Sequence, residues 1–202
     1  MATPNSQIFN DARQDLSGKW GTAIVTFIVY IVVSMVAGFV PFGSIVLGGP
    51  LALGIAIFSL HIVRRQEAAT GDIFKGFDNF ANSMLALLLV TLFTVLWMLL
   101  LIIPGIIKAY SYSMTFYILA DNPTMQPMQA VDRSMEMMDG YKLKLFTLQL
   151  RFMLLAILCI FTLGIGFFFL WPYASVTTAK FYEDLKADQN QGTVMNEINT
   201  IQ

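Results

Sequence analysis

The chain has 202 residues, a formal net charge of -1 and 12% charged side chains, against 56% hydrophobic and 13% aromatic ones. Soluble domains carry about 25% charge, and the mean hydropathy is +0.66, so a soluble domain is excluded and a polytopic membrane protein remains. There is no basic field for nucleic acid, and one cysteine (Cys159) and one histidine (His61) leave no disulfide framework and almost nothing for a zinc site.

The stretch before Trp20 is polar and has no short apolar core with a small-residue cleavage site, so the first span itself is expected to target the chain. Trp20–Val63 carries no formal charge. A crossing takes roughly 20 apolar residues, so this run holds two helices, divided at Pro41-Phe42-Gly43-Ser44 into about Gly21–Val40 and Ser44–Val63. Asn79–Ile107 and Ala109–Ala120, interrupted only by Lys108, give Asn82–Ile103 and Pro104–Ala120, broken at Pro104-Gly105. The uncharged run Phe152–Ala179 belongs to a last pair, Leu143–Leu163 and Gly166–Tyr182, broken at Gly164-Ile165-Gly166. The expected fold is all-α: six transmembrane helices in three hairpins. Runs such as Met84–Ile103 lack the alternation of a membrane barrel.

The basic residues orient the bundle. Arg13, Lys19, Arg64, Arg65, Lys75, Arg133, Lys142, Lys144, Lys180 and Lys186 fall on one side of these spans, as do all 13 acidic residues. By the positive-inside rule that side is cytoplasmic, with both termini there. The opposite face has three short turns with only Lys108 nearby.

Each hairpin is preceded by a short amphipathic segment. Their apolar faces are Ile8, Phe9, Ala12 and Leu16; Ile73, Phe77 and Phe80; and Met128, Val131, Met135 and Met138. Gly18, Gly76 and Gly140 lead into the hairpins, and Gly43, Gly105 and Gly166 mark their turns. The pattern reads as a triplicated unit, about 8–65, 72–121 and 128–186, within one membrane domain of residues 1–187. A polar tail, 188–202, is expected to be disordered. The amphipathic segments suit burial among lipid headgroups; the other reading is ordinary connectors packed on one another.

The segments Ile102–Met114 (IIPGIIKAYSYSM), Tyr117–Pro123 (YILADNP), Ser134–Phe146 (SMEMMDGYKLKLF), Thr162–Gly166, Pro172–Tyr173 and Phe181–Leu185 resemble the bacterial domain-of-unknown-function 975 family. The resemblance implies an integral protein of the bacterial inner membrane and supplies no catalytic residues. A weaker likeness joins such proteins to the membrane domain attached to some glycerophosphodiester phosphodiesterases, whose catalytic domain has no counterpart in this sequence. Where the family usually runs Leu-Ser-Phe, this chain has Leu150-Arg151-Phe152.

Candidate residues follow from what is unusual within or beside the spans. Arg151 lies about 12 Å into the fifth span, where an arginine costs at least ~2 kcal/mol unless it snorkels or finds partners. It reads either as an anion or phosphate contact facing the bundle or as a snorkelling anchor. Lys108 reads as an outer-interface anchor or a pathway residue. Tyr110, Ser113 and Tyr117 share a helical face (i, i+3, i+7) and would line a polar path or make interhelical hydrogen bonds. His61, Arg64 and Arg65 would bind anionic headgroups or anchor the second span. Gly48-Gly49-Pro50 and Gly54 permit close helix approach or a broken helix lining a site.

Enzyme signatures fail. There is no His-Glu-x-x-His and no Gly-x-Ser-x-Gly, and Asp121, Asp132, Glu136 and Asp139 read as a solvated face. No catalytic residue, cofactor or metal is expected. The expected role is a non-enzymatic accessory, scaffold or envelope-homeostasis factor. Its partners are membrane lipids, with membrane proteins or further copies of the chain as the other candidates. The alternative is a small-molecule or ion transporter or channel using the fourth-span hydroxyls with Lys108 and Arg151.

Overall fold

A computed structural model describes residues 3–39, 43–161 and 164–201, with side chains through residue 190. Among the described residues there are α-helices and one 3-10 helix, and no strand. In chain order these are α1 (Asn5–Asp15), α2 (Trp20–Gly38), α3 (Gly43–Val63), the 3-10 segment Thr70–Phe77, α4 (Phe80–Leu100), α5 (Ile102–Ser111), α6 (Thr115–Asp121), α7 (Pro127–Met137), α8 (Lys142–Ile160) and α9 (Phe167–Ile201).

Four helices, α2, α3, α4 and α8, are long and apolar enough to cross a membrane. The stretch expected to be a fourth span is not one helix. It is α5 and α6, separated at Tyr112–Met114. The turn before it also differs. Leu101 adopts an extended conformation, and Pro104 falls in the first turn of α5, where a missing N–H breaks no intrahelical bond. The last expected span begins as predicted but runs on as one 35-residue helix, about 50 Å long. It carries helical backbone through the segment expected to be a disordered tail. The break at Pro41-Phe42 lies outside the described residues, as do Thr162 and Leu163.

The apolar helices are not equivalent. Over its apolar window α3 is 56% buried, whereas α2, α4 and α8 are 22%, 11% and 17% buried. The inner set is α3, α6 and α9, with α6 and α9 each packed on α3. The outer helices present rows of exposed apolar side chains, such as Val32, Met35 and Val36 on α2, Leu92, Val95 and Leu96 on α4, and Met153, Leu154 and Leu158 on α8. In water such rows would be untenable; in hydrocarbon they cost nothing.

The amphipathic connectors pack mainly on protein. Ile8 and Ala12 of α1 and Leu16 just after it, Ile73 of the 3-10 segment, and Val131 and Met138 around α7 are all essentially fully buried. Phe74, Phe80 and Met128 remain exposed. Each connector rests on an inner helix that precedes it in a cyclic order: the 3-10 segment on α3, α7 on α6, and α1 on α9. The 3-10 segment approaches α3 backbone to backbone. A Cβ on Gly54 would overlap the Ile73 carbonyl, and one on Gly76 the Pro50 carbonyl. The glycine-proline stretch of α3 is thus a packing groove within a continuous helix.

Candidate functional site

The α5–α6 break is built from hydroxyls that turn back on their own backbone. Ser111 Oγ donates to Ile107 O at 3.1 Å, Ser113 Oγ to Tyr110 O at 2.7 Å and Thr115 Oγ1 to Tyr112 O at 2.7 Å. Such local bonds compete with the helical ladder. The groups the break frees are taken by one buried hydroxyl on α7: Ser134 Oγ accepts from Met114 N–H at 3.1 Å and donates to Ser111 O at 2.7 Å.

Beside this break lies a hollow of about 450 Å³ bounded by α2, α3, α6, α8 and α9. Aromatic side chains dominate its walls, among them Phe27, Phe116, Phe152 and Trp171. Its polar lining comes from Tyr30, Ser113, Tyr117, Gln149, Ser175 and Thr178, with no acid and no base. A second space of about 260 Å³ shares Phe27 and Trp171 with it and continues along α2 and α9 past Ile31 to Gly164. On its other flank Tyr117 OH reaches Ser175 O at 3.5 Å, Ser175 Oγ bonds Ser59 Oγ at 2.9 Å, and the Tyr117 and Tyr182 rings stack at 5.6 Å.

Past Tyr182 the inner helices are joined by charge. Asp121, at the end of α6, has a side chain only 6% exposed and pairs with Arg64 (2.6 Å) and Lys186 (2.6 Å). Tyr182 OH also donates to it, at 3.0 Å. Arg64 bridges onward to Glu183 at 2.6 Å. Burial alone would push the Asp121 carboxyl up, but Lys186 and Arg64 outweigh it and hold it below the usual value. Arg65 pairs with the buried Asp15 of α1 at 3.3 Å, and Lys180 reaches the same carboxylate at 3.2 Å. His61 Nδ1 lies 2.8 Å from Asp72, which also accepts from Lys75 Nζ at 2.7 Å and from Ala69 N–H at 3.0 Å. Burial works against the Asp72 charge, and these partners prevail, so its carboxyl also sits below the usual value.

The residues singled out from sequence therefore separate. Ser113 and Tyr117 line the hollow. Tyr110, expected on the same face, instead meets Phe146 of α8 edge-on at 5.9 Å, because the break re-aims α5. Lys108 is remote from both: its ammonium lies 5.2 Å over the Trp97 ring and 3.8 Å from Met135 Sδ. That second contact brings α7 alongside α4 and α5, up against the apolar helices. Arg151 is on the exposed face of α8, its guanidinium 5.6 Å over the ring of Phe9. His61, Arg64 and Arg65 each hold a carboxylate of another element. Asp121, expected on a solvated face, is buried in ion pairs instead, whereas Glu136 and Asp139 are exposed.

Sequence reasoning missed Ser134, Gln149, Ser175 and Trp171. Ser134 and Ser175 carry no signal of their own, since a serine looks alike in a cap, a turn or a staple. Gln149 was detectable as an uncharged polar residue within the fifth span.

A family model with the description "Protein of unknown function (DUF975)" matches residues 1–111 and, in a second match, residues 98–189. No curated protein and no solved structure matches the chain.

Proposed function

The chain belongs to the DUF975 family, and from that premise we propose that it is a non-enzymatic protein of the bacterial inner membrane. It acts as an accessory, scaffold or envelope-homeostasis factor, binding lipid or a membrane partner. In this reading α5 with α6, and the first half of α9, complete six crossings in three hairpins. Both termini, α1, the 3-10 segment and the ion pairs then face the cytoplasm, and α7 runs from that side along α4 and α5 as far as Lys108. The cyclic packing of α1, the 3-10 segment and α7 on successive inner helices supports a triplicated unit.

The single observation that carries the scaffold reading is the division of charge. Acids and bases concentrate in a cluster that ties α1, α3, α6 and α9 together, and the hollow between the apolar helices has none. Coupled transport usually needs an ionisable or ion-coordinating group at that depth. The transporter or channel reading is favoured by one observation, the hydroxyls of Ser113 and Tyr117 in the hollow. Its other residues, Lys108 and Arg151, lie elsewhere.

Purification in mild detergent, with identification of co-purifying lipids and proteins, is the direct test. A defined set of bound lipids or one stoichiometric membrane partner is expected. Protein-dependent solute or ion flux in reconstituted vesicles, lost in Ser113→Leu, would overturn the scaffold reading in favour of transport.

A further inference from the structure

The hollow has features that a packing defect does not require. Its volume, about 450 Å³, falls within the range of small-molecule sites, roughly 300–1,000 Å³. Its walls are aromatic and aliphatic, and its extension along α2 and α9 is apolar throughout, passing Phe27, Ile31, Phe167 and Phe168. The surface beside that extension is the exposed apolar row of α2 and α9, including Val32, Phe168 and Trp171. The solvent there, in the membrane reading on which this inference rests, is hydrocarbon.

Two polar groups at the hollow are unspent. Ser113, Ser175, Tyr117 and Thr178 all have protein partners. Among the described residues, the Tyr30 hydroxyl and the Gln149 carboxamide have no hydrogen-bond partner; both border the hollow, Tyr30 half-buried and Gln149 exposed, so in the membrane reading they meet hydrocarbon rather than a protein partner. At membrane depth a polar group without a partner costs several kcal/mol. The complement to such a site is a molecule with a long apolar part and an uncharged acceptor, since the walls hold no formal charge to meet an ion.

We propose that the hollow between α2, α3, α6, α8 and α9 binds one acyl chain of a membrane phospholipid, with the chain's ester carbonyl held by Tyr30 and Gln149. The chain enters from the bilayer along α2 and α9, past Trp171. The ester, not the phosphate, is read: phosphate is anionic and the nearby cations, Arg64 and Lys186, already hold Asp121.

The test uses the full chain in vesicles of phosphatidylethanolamine and phosphatidylglycerol, doped with a phospholipid carrying a diazirine at one chain end. Adducts are mapped by mass spectrometry after illumination. Adducts are expected within 113–117 and 174–178 as well as on the outer rows at Leu92 and Leu154. Ala52→Trp, which fills the hollow, should lower the inner adducts severalfold and leave the outer ones unchanged. Ala52→Leu is the milder filling should the tryptophan prevent folding. Tyr30→Phe with Gln149→Leu should also lower the inner adducts. Adducts confined to the outer rows, or inner adducts indifferent to filling in folded variants, would overturn the proposal. Absence of adducts from the outer rows too would overturn the membrane reading beneath it.

Discussion

Ser134 of α7 holds Met114 in the break between α5 and α6, accepting its N–H at 3.1 Å while donating to the Ser111 carbonyl at 2.7 Å. One hydroxyl thereby satisfies both backbone groups that the interrupted helix would leave bare. It also fixes α7 against the helices it would otherwise merely follow. Ser134→Ala removes both bonds at a site with no exposure. A buried donor or acceptor left alone costs about 1–3 kcal/mol. Ser134→Ala should therefore lower the thermal midpoint in detergent, and an unchanged midpoint would mean that the break needs no staple.

Arg64 spans Asp121 and Glu183 from one guanidinium, each at 2.6 Å. Arg64→Leu removes charge-assisted bonds from a buried carboxylate and should cost about 2 kcal/mol, since Lys186 still serves Asp121. Arg64→Lys keeps a charge but not the fork, and should recover only part of the loss. Denaturant or thermal unfolding in one detergent compares the three proteins. Equal stability of the lysine variant and the parent would show that the bridge contributes charge alone.

Acid should loosen the charged cluster. Asp72 and Asp121 are both depressed below 3.8, because Lys75 and His61 in one case and Lys186 and Arg64 in the other outweigh burial. A carboxyl depressed in the folded state adds stability that is complete above its unfolded value. That stability is lost as pH falls below about 3.8 through the folded value. Melting scans from pH 6 downward should show this decline, and Asp72→Asn with Asp121→Asn should flatten it. A double variant with the same slope would assign the decline to other groups.

Arg151 stands on the exposed face of α8 over Phe9. A cation on an aromatic ring at such a site adds about 0.5–1 kcal/mol, and lysine keeps most of that. Arg151→Lys should be silent. Arg151→Leu should keep the fold, because removing a charge near hydrocarbon offsets the lost ring contact. Expression level and monodispersity in detergent report this. Loss of the folded protein in the lysine variant would reveal a bidentate partner.

Topology is tested with single cysteines in a Cys159→Ala background. Cysteines at Gln66, Gln126 and Gln189 should be labelled only from the cytoplasm, and one at Ser44 only from outside. Labelling of Gln126 from outside would remove a crossing and break the six-span arrangement.

Particular elements mark the limit of what was legible. The uncharged run Trp20–Val63 announced two apolar helices with a break near Pro41, and α2 and α3 follow. Tyr110, Ser113 and Tyr117 looked equally regular, yet they do not share a face. A hydroxyl-rich segment can bond its own backbone, and whether it does so depends on Ser134, which is distant in sequence. Ile8, Ile73 and Val131 were legible as apolar faces, but not what covers them.

The sequence by itself determined the all-α class and the placement of the long apolar helices α2, α3, α4 and α8, because hydrocarbon tolerates neither formal charge nor unpaired backbone, and the spacing of charges is readable without a fold. Only the tertiary structure decided which helices are inner and which outer, which carboxylate each base holds, and where space remains between them. Those outcomes depend on groups far apart in the chain, such as Asp15 with Lys180 or Arg64 with Glu183. Single residues carry no mark of a distant partner: the pairing is set by how α3, α6 and α9 converge, and convergence is a property of packing.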